Sequence, residues 1–169
     1  MNIILIVLIL IIIFYIYCYF IFSNNIIILQ TNLNDFDFSL LLERQPLVIE
    51  DYIIDILSVI KSWFSSNIVQ DANYNEKYDW NQNNHKFMFV YALEDTEILL
   101  YPPNKKIIND TPDNDEPIIG IQLKTSQSLI IPFKWSYNIK NTNSIKLYGI
   151  HDYITYLLFN FSNYSLLRF

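Results

Sequence analysis

The feature that most constrains this chain is an apolar run near its N-terminus. Residues Ile3 to Phe22, IILIVLILIIIFYIYCYFIF, contain no charged residue, glycine, proline or amide. A helix rises about 1.5 Å per residue, so roughly 20 such residues cross the ~30 Å hydrocarbon layer of a bilayer. The run therefore predicts a transmembrane helix. It divides the chain into an N-terminal transmembrane anchor, residues 1–25, and a second domain, residues 26–169.

A cleaved signal peptide and a buried core helix are the alternatives for this run. A signal peptide carries a basic n-region, a shorter apolar stretch and a small-residue cleavage site, and this sequence has none of these, which favours an uncleaved signal-anchor. The α-amine of Met1 precedes the run and the first basic residue after it is Arg44, which favours a cytoplasmic N-terminus. We therefore expect a single-pass membrane protein whose second domain is lumenal or extracellular. Asn109, Asn160 and Asn163 would be acceptors for N-glycosylation there, although an Asn-rich chain contains such triplets by chance.

Charge and cysteine content exclude several classes of function. The formal net charge is −6, which repels phosphate backbones, so we expect no nucleic-acid partner. The single cysteine, Cys18, lies within the apolar run, so the second domain has neither a disulfide nor a thiol nucleophile. Gly120 and Gly149 are the only glycines, which rules out a Gly-rich phosphate loop.

The second domain has mainly the pattern of β-strands. Phe87, Phe89 and Tyr91 alternate with their neighbours with a period of two, and prolines end two of the apolar stretches. One helix is predicted where Ile53, Ile56, Leu57, Ile60 and Phe64 share a face behind Asp51 as N-cap. Residues 152–161 fit either a helix or a strand. The predicted strands span residues 46–49, 87–92, 98–101, 118–123, 128–131, 134–139 and 144–150, which indicates a sandwich or barrel.

Three segments of this domain resemble the cupin-like, jumonji-C-type family. One strand ends in Leu100-Tyr101-Pro102-Pro103, and a later one continues through Ile131, Pro132 and Trp135; upstream, ERQPLVIEDY resembles the first strand of that family. The resemblance implies a double-stranded β-helix. The predicted fold class is accordingly mainly β (α+β): an N-terminal transmembrane helix followed by a cupin-like double-stranded β-helix with one or two flanking helices.

The same resemblance implies a metal site that has been lost. Enzymes of the family hold Fe(II) with two histidines and one carboxylate, leaving positions open for 2-oxoglutarate and oxygen. Carried over onto this chain, the three ligand positions are Asn81, Asn83 and Tyr137, and the Gly-x-Lys of the cosubstrate site falls on Glu94 and Thr96. Neutral amides are poor iron ligands, and a phenol must lose a proton to bind well. We therefore expect no metal, no cofactor and no catalytic residue.

Other polar groups have simpler interpretations. His85 and His151, the only histidines, are expected to be surface or loop groups, although together they could rebuild a metal site. Asp110, Asp113, Asp115 and Glu116 lie in the run NDTPDNDE, which lacks the glycine of an EF-hand loop and is interpreted as a solvated acidic loop.

The function expected from the sequence is a membrane-anchored, catalytically inactive cupin-like domain in a binding or structural role, possessing a protein partner besides the membrane. A divergent Fe(II)/2-oxoglutarate oxygenase is the first alternative. The second is an unrelated jelly-roll structural protein of a membrane-containing virus, since the crowding of Ile, Asn, Tyr, Phe and Lys is typical of AT-rich genomes.

Overall fold

The fold is taken from a computed structural model that describes residues 3–22, 26–103, 107–108, 111–112 and 118–163. The helices are α1 (Ile3–Tyr19), α2 (Ser39–Leu42), α3 (Ile56–Trp63) and α4 (Tyr153–Asn163). The strands are β1 (Leu29–Thr31), β2 (Leu47–Ile49), β3 (Ile68–Ala72), β4 (Asn81–Gln82), β5 (Phe87–Ala92), β6 (Thr96–Tyr101), β7 (Ile107–Ile108), β8 (Thr111–Pro112), β9 (Ile119–Leu123), β10 (Ser128–Pro132), β11 (Ser136–Ile139) and β12 (Ile145–His151). The described part of the chain is thus mainly β with a few helices.

Two sheets form the body of the domain. The six-stranded first sheet has the order β1-β2-β10-β5-β12-β3, and the four-stranded second sheet has the order β4-β11-β6-β9. Apart from the parallel pair β1–β2, every neighbouring pair in these sheets is antiparallel. From β3 onward the chain passes repeatedly between the two sheets. The late strands β10, β11 and β12 are each inserted between two strands that precede them in the sequence.

The sheets pack face to face through aliphatic side chains. Met88 and Val90 of β5 meet Ile98 and Leu100 of β6 in one buried cluster, and all four are fully inaccessible to solvent. Leu129 belongs to the same cluster. The strands that alternate in hydrophobicity therefore place their apolar face in the space between the sheets, as the period of two requires.

The outer face of the first sheet is covered by α3. Ile56 and Ile60 of this helix pack with Phe89, Ile130 and Ile150 in a second buried cluster. The central strands of the first sheet are therefore buried on both faces, which explains why β5 and β10 read as nearly continuous apolar runs rather than as alternating ones.

Helix α3 begins later than the sequence pattern predicts. Its N-cap is Asp55, whose side chain accepts hydrogen bonds from the backbone N–H groups of Leu57 and Ser58, at 3.1 and 3.2 Å. The expected cap, Asp51, instead accepts a hydrogen bond from the backbone N–H of Leu33. The prediction of Asp51 as N-cap is wrong because Ile53, although buried, contributes to the core from the loop before the helix.

Helix α4 resolves the ambiguity at residues 152–161 in favour of a helix. Asp152 caps it by accepting from the backbone N–H of Thr155 at 2.8 Å, and the Thr155 hydroxyl accepts from the backbone N–H of Asp152 at 3.0 Å. The same carboxylate forms an ion pair with Lys86 at 2.7 Å and accepts a hydrogen bond from the hydroxyl of Tyr15. A single side chain thus connects α4, the start of β5 and α1.

Helix α1 is attached to the β domain near its C-terminus. The ring of Tyr19 stacks on Phe133 with centroids 4.3 Å apart. One guanidinium nitrogen of Arg44, Nη1, donates to the carbonyls of Tyr19 and Ile21, at 2.9 and 2.6 Å. Phe133 lies in the connection after β10, and Arg44 lies in the segment between α2 and β2. Helix α1 is therefore held at one end of the first sheet.

The structure corrects the prediction of a transmembrane anchor. Helix α1 has 17 residues and is about 26 Å long at 1.5 Å per residue, and its final turn is taken up by packing against the β domain. Among the helices in the described ranges, none meets the combined requirement of length and apolarity for crossing a bilayer. The transmembrane part of the predicted fold class, the signal-anchor and the single-pass membrane localisation are therefore wrong.

Two expectations lie outside the described residues. The acidic run between Asp110 and Glu116 is described only at residues 111–112, and Asn109 is not described. Asn160 lies in α4, where its side-chain amide donates to the carbonyl of Tyr156 at 3.0 Å.

Candidate functional site

A cavity opens between the free edges of the two sheets. Strand β3 is the last strand of the first sheet and β4 the last strand of the second, and a cavity of about 420 Å³ lies against both of them, with Phe159 of α4 at one side. We call this the edge cavity. Its walls include Gln70, Asp71, Asn81, Asn83, His85 and Tyr137.

Two of the predicted metal-ligand positions face each other across neighbouring strands. Tyr137 of β11 is paired directly with Asn81 of β4, so their side chains lie on the same face of the sheet. The Asn81 side chain is turned toward the loop before β4: it accepts from the backbone N–H of Asn75 and donates to the carbonyls of Asn75 and Tyr78. Its role here is to hold that loop.

Tyr137 is a buried phenol that reaches the edge cavity. Its side chain is 4% exposed and its ring contacts the edge of the Tyr74 ring. Burial raises the pKa of Tyr137, and the neighbouring Tyr74 adds to the effect. The phenol therefore keeps its proton at neutral pH, which makes it a hydrogen-bond donor rather than an anionic ligand.

Asn83, the remaining ligand position, performs a structural task. Its side-chain nitrogen donates to the carbonyls of Ile131 and Pro132, at 2.8 and 2.9 Å, and its side-chain oxygen accepts from the backbone N–H of His85 at 2.9 Å. The residue is 1% exposed. The two donated hydrogen bonds tie the end of β4 to the end of β10 and use both hydrogens of the amide, so none is left for a ligand.

The predicted cosubstrate position lies far from these groups. Thr96 begins β6 and pairs with Leu123, whereas Tyr137 pairs with Leu100 on the same strand. Four residues of strand separate Thr96 from Leu100, about 13 Å at 3.3 Å per residue. Thr96 is not among the residues that line the edge cavity, and Glu94 lies in the turn before it.

The residues of the resembled motif build the ends of strands. Leu100 and Ile131 belong to the core between the sheets, and Tyr101 packs against Trp80 before Pro102 and Pro103 end β6. Pro132 ends β10, and Lys134, with a φ of 66°, forms the turn into β11. Trp135 is buried and donates its indole N–H to the carbonyl of Arg44 at 3.2 Å. The stretch from Ser128 to Ile139 is thus two strands in different sheets.

Sequence reasoning missed the most unusual group at this site, a buried pair of histidines. His85 Nδ1 lies 2.8 Å from His151 Nε2, and the ring of Phe159 covers both imidazoles at centroid distances of 4.8 Å. His151 is fully buried. Burial lowers the pKa of each histidine to about 4. The expectation of two surface or loop histidines does not describe this arrangement, and no local pattern pairs the two residues because they are 66 positions apart.

Gly149 is the one sequence signal that points to the pair. It precedes His151 by two positions, so both residues lie on the same face of β12. A Cβ at Gly149 would lie 2.3 Å from His85 Nδ1. Only the absence of a side chain at Gly149 lets the His85 ring lie flat over the strand and reach His151.

Apart from the carboxylate of Asp71, the described residues that line the edge cavity carry neutral donors and acceptors. Among the residues that the structure describes, no cluster of three or more histidine, cysteine, aspartate or glutamate side chains is suited to hold a metal ion. Among the described residues that line the edge cavity there is neither lysine nor arginine, but Lys134 Nζ donates to the side-chain oxygens of two of them, Gln82 and Asn84, at 3.1 and 3.0 Å. Chemically, the site suits hydrogen bonding to an uncharged ligand.

Comparison with known proteins adds no relative to this description. No protein-family model matches the chain, and no curated protein sequence matches it either.

Proposed function

We propose that the β domain is a non-catalytic relative of the cupin-like, jumonji-C-type family and that it serves a binding role at the edge cavity. The observation that carries the proposal is the direct pairing of Tyr137 with Asn81. Two positions that sequence resemblance assigns to the metal site are thereby neighbours in space, yet one carries a protonated phenol and the other an amide engaged with its own loop.

The order in which the chain visits the sheets supports kinship with that family. Strands β3, β5, β10 and β12 belong to the first sheet, and β4, β6, β9 and β11 to the second. Antiparallel strands that alternate in this way between two facing sheets are what a double-stranded β-helix requires. The resemblance in sequence and the order of strands are independent arguments, since the first rests on motifs and the second on pairing.

The hydrogen bonds of the site argue against an oxygenase. A carboxylate at Asn83 would face the carbonyls of Ile131 and Pro132, to which the amide now donates, so this position is adapted to an amide. The phenol of Tyr137 would have to ionise against a raised pKa before it could bind iron well. The interior between the sheets is filled with aliphatic side chains such as Ile98 and Leu100, so a ligand has to bind outside that core, and we assign it to the edge cavity because Asn81 and Tyr137 line it.

The first experiment tests the absence of the oxygenase reaction. The full chain is reconstituted anaerobically with Fe(II) and then supplied with 2-oxoglutarate and oxygen, while bound iron and succinate are measured. We expect substoichiometric iron and no succinate above the background without protein. Stoichiometric iron together with turnover would overturn the proposal in favour of the divergent oxygenase.

The second experiment tests the kinship of the site by rebuilding part of it. Asn81→His/Tyr137→His places two imidazoles on directly paired positions, and we expect this variant to bind one Co(II) or Ni(II) ion. Asn81→His alone is the matched control and should bind at least tenfold more weakly, because a second imidazole adds a ligand to the same ion. Equal binding by the two variants, with both folded by circular dichroism, would show that these positions do not form the site of that family.

A further inference from the structure

The histidine pair determines which ring nitrogen of His85 carries its proton. Both imidazoles are neutral near pH 7, because burial lowers each pKa to about 4. In the bond between His85 Nδ1 and His151 Nε2, 2.8 Å long, one nitrogen must donate and the other accept. Only two tautomeric arrangements are therefore possible.

The environment of His151 favours one of them. His151 Nδ1 is fully buried and has no hydrogen-bond partner in the described part of the chain. If His85 donated, this nitrogen would carry a buried, unpaired N–H, whereas if His151 donates, only a lone pair is left unpaired. Buried unpaired N–H groups are the rarer case. Donation by His151 also leaves both rings in the Nε2–H tautomer, which neutral histidine intrinsically prefers.

His85 therefore carries its proton on Nε2. His85 Nδ1 is occupied by His151, so the Nε2–H group is the one left free. His85 is also one of the residues that line the edge cavity. His85 Nε2 is not one of the fully buried unpaired atoms of the described residues, so this N–H is accessible to solvent on a residue that lines the cavity. The hydroxyl of Tyr137 is also unpaired and accessible. No described residue forms a hydrogen bond with it, and it is not among the fully buried unpaired atoms.

The other groups of the cavity define the ligand class. Gln70 and Asp71 add amide and carboxylate groups, and Tyr78 and Trp80 add aromatic rings. The carboxylate of Asp71 disfavours an anionic ligand, and the nearby ammonium of Lys134 is already engaged with Gln82 and Asn84. Aromatic rings beside several hydrogen-bonding groups suit a molecule with apolar faces and many hydroxyls. The volume of about 420 Å³ is in the range of small-molecule sites.

We propose that the edge cavity binds a neutral polyhydroxylated ligand of the saccharide class, with the Nε2–H of His85 and the hydroxyl of Tyr137 directed at ligand oxygens. His151 is a positioning residue that fixes the tautomer of His85 without contacting the ligand. This inference rests on the binding role proposed above and names its ligand class.

The tautomer is tested without any ligand. Long-range ¹H–¹⁵N NMR spectra of the full chain at pH 7 distinguish protonated from unprotonated ring nitrogens. We expect His85 to be protonated at Nε2 and unprotonated at Nδ1, and we expect His151→Phe to return the His85 ring to a mixture of tautomers. A protonated Nδ1 on His85 in the unmodified chain would overturn the assignment of the donor.

The ligand class is tested with glucose, mannose, N-acetylglucosamine and cellobiose as probes at millimolar concentrations. Binding is detected by saturation-transfer NMR and quantified by titration of protein amide signals. We expect at least one probe to bind, and Tyr137→Phe to weaken its binding about tenfold through the loss of one hydrogen bond. Tyr52→Phe is the matched control, because Tyr52 is exposed and is not among the described lining residues.

The outcomes separate this inference from the function on which it rests. Absence of binding by all four probes would overturn the saccharide class, and binding that Tyr137→Phe leaves unchanged would overturn the location. Neither result bears on the iron and succinate measurements. Succinate production by the full chain would instead overturn the proposed function, whatever the saccharide titrations show.

Discussion

Gly149→Ala is expected to be the most informative single substitution in this protein. The backbone of Gly149 does not have a positive φ, so alanine meets no conformational penalty there. The added Cβ would lie 2.3, 2.5 and 2.7 Å from Nδ1, Cε1 and Cγ of His85. Contacts this short force the imidazole to move by about 1 Å or more, against the stacked ring of Phe159.

The loss of stability in Gly149→Ala has two contributions. Overpacking of a well-filled site costs about 1–3 kcal/mol. Displacement of His85 also breaks its bond to His151 and leaves both nitrogens of the buried His151 ring unpaired, which adds about 1–3 kcal/mol. We therefore expect Gly149→Ala to lower the free energy of unfolding by about 2–6 kcal/mol, a large share of the stability of a domain of this size.

Urea denaturation followed by tryptophan fluorescence measures this loss, and Gly120 provides the control. It is the only other glycine, it also lies in a strand, and a Cβ there would be at ordinary contact distances of 3.5 Å or more. Gly120→Ala should leave stability unchanged or raise it by about 0.5 kcal/mol. In a His85→Ala background, Gly149→Ala should cost less than about 1 kcal/mol, because the imidazole that the new Cβ would contact is absent. Equal costs in both backgrounds would refute the reasoning.

Three further predictions concern titration and capping. Both histidines have a pKa near 6.5 in the unfolded state, whereas in the folded state the pKa of His85 and of His151 is about 4. Lowering the pH from 7 to 5 should therefore remove up to about 2 kcal/mol of stability per imidazole. A urea midpoint that stays constant over this range would contradict the prediction. Asp55→Ala should cost about 1 kcal/mol through the lost N-cap of α3, measured by urea denaturation. Asp152→Asn should cost about 1–3 kcal/mol at pH 7, whereas Glu97→Gln, which breaks an exposed ion pair, should change the unfolding midpoint little.

The contribution of Asp152 to stability is confined to a defined pH range. Burial opposes its ionisation, but the hydrogen bonds that it accepts from Lys86, the backbone of Thr155 and Tyr15 outweigh that effect and lower its pKa to about 2. A carboxyl with a lowered folded pKa contributes stability above its unfolded pKa and loses it as the pH falls through the folded value. Its contribution should therefore persist at pH 5, where that of the histidines is already declining.

Local patterns were sufficient to predict most strands. The apolar run from Phe87 to Ala92 coincides with β5, and the prolines at 102 and 132 mark the ends of β6 and β10. Both signals act over a few residues, and tertiary contacts are not needed to interpret them. Asp51 failed as a helix cap because two aspartates, at 51 and 55, precede the same apolar stripe, and only packing decides which one starts the helix.

The site was less accessible to sequence reasoning. The pairing of Asn81 with Tyr137 joins residues 56 positions apart, and the contact between His85 and His151 joins residues 66 apart. Burial of two imidazoles against Phe159 is decided by the course of α4, whose type the sequence pattern left open. The length of the apolar run indicated a span, but Tyr19 at the end of α1 packs on Phe133, and Tyr15, one turn earlier, donates to Asp152. No property of the run itself encodes these contacts.

The interleaving of late strands between early ones determines when this protein can acquire its fold during synthesis. Strand β10 lies between β2 and β5, β11 between β4 and β6, and β12 between β5 and β3. Until residue 128 leaves the ribosome, β5 therefore has neither of its neighbours, and its unpaired apolar edges are open to other nascent chains. A polypeptide that stops before Ser128 can complete neither of the two main sheets, so translation must outpace aggregation or a chaperone must hold the nascent chain until the late strands arrive.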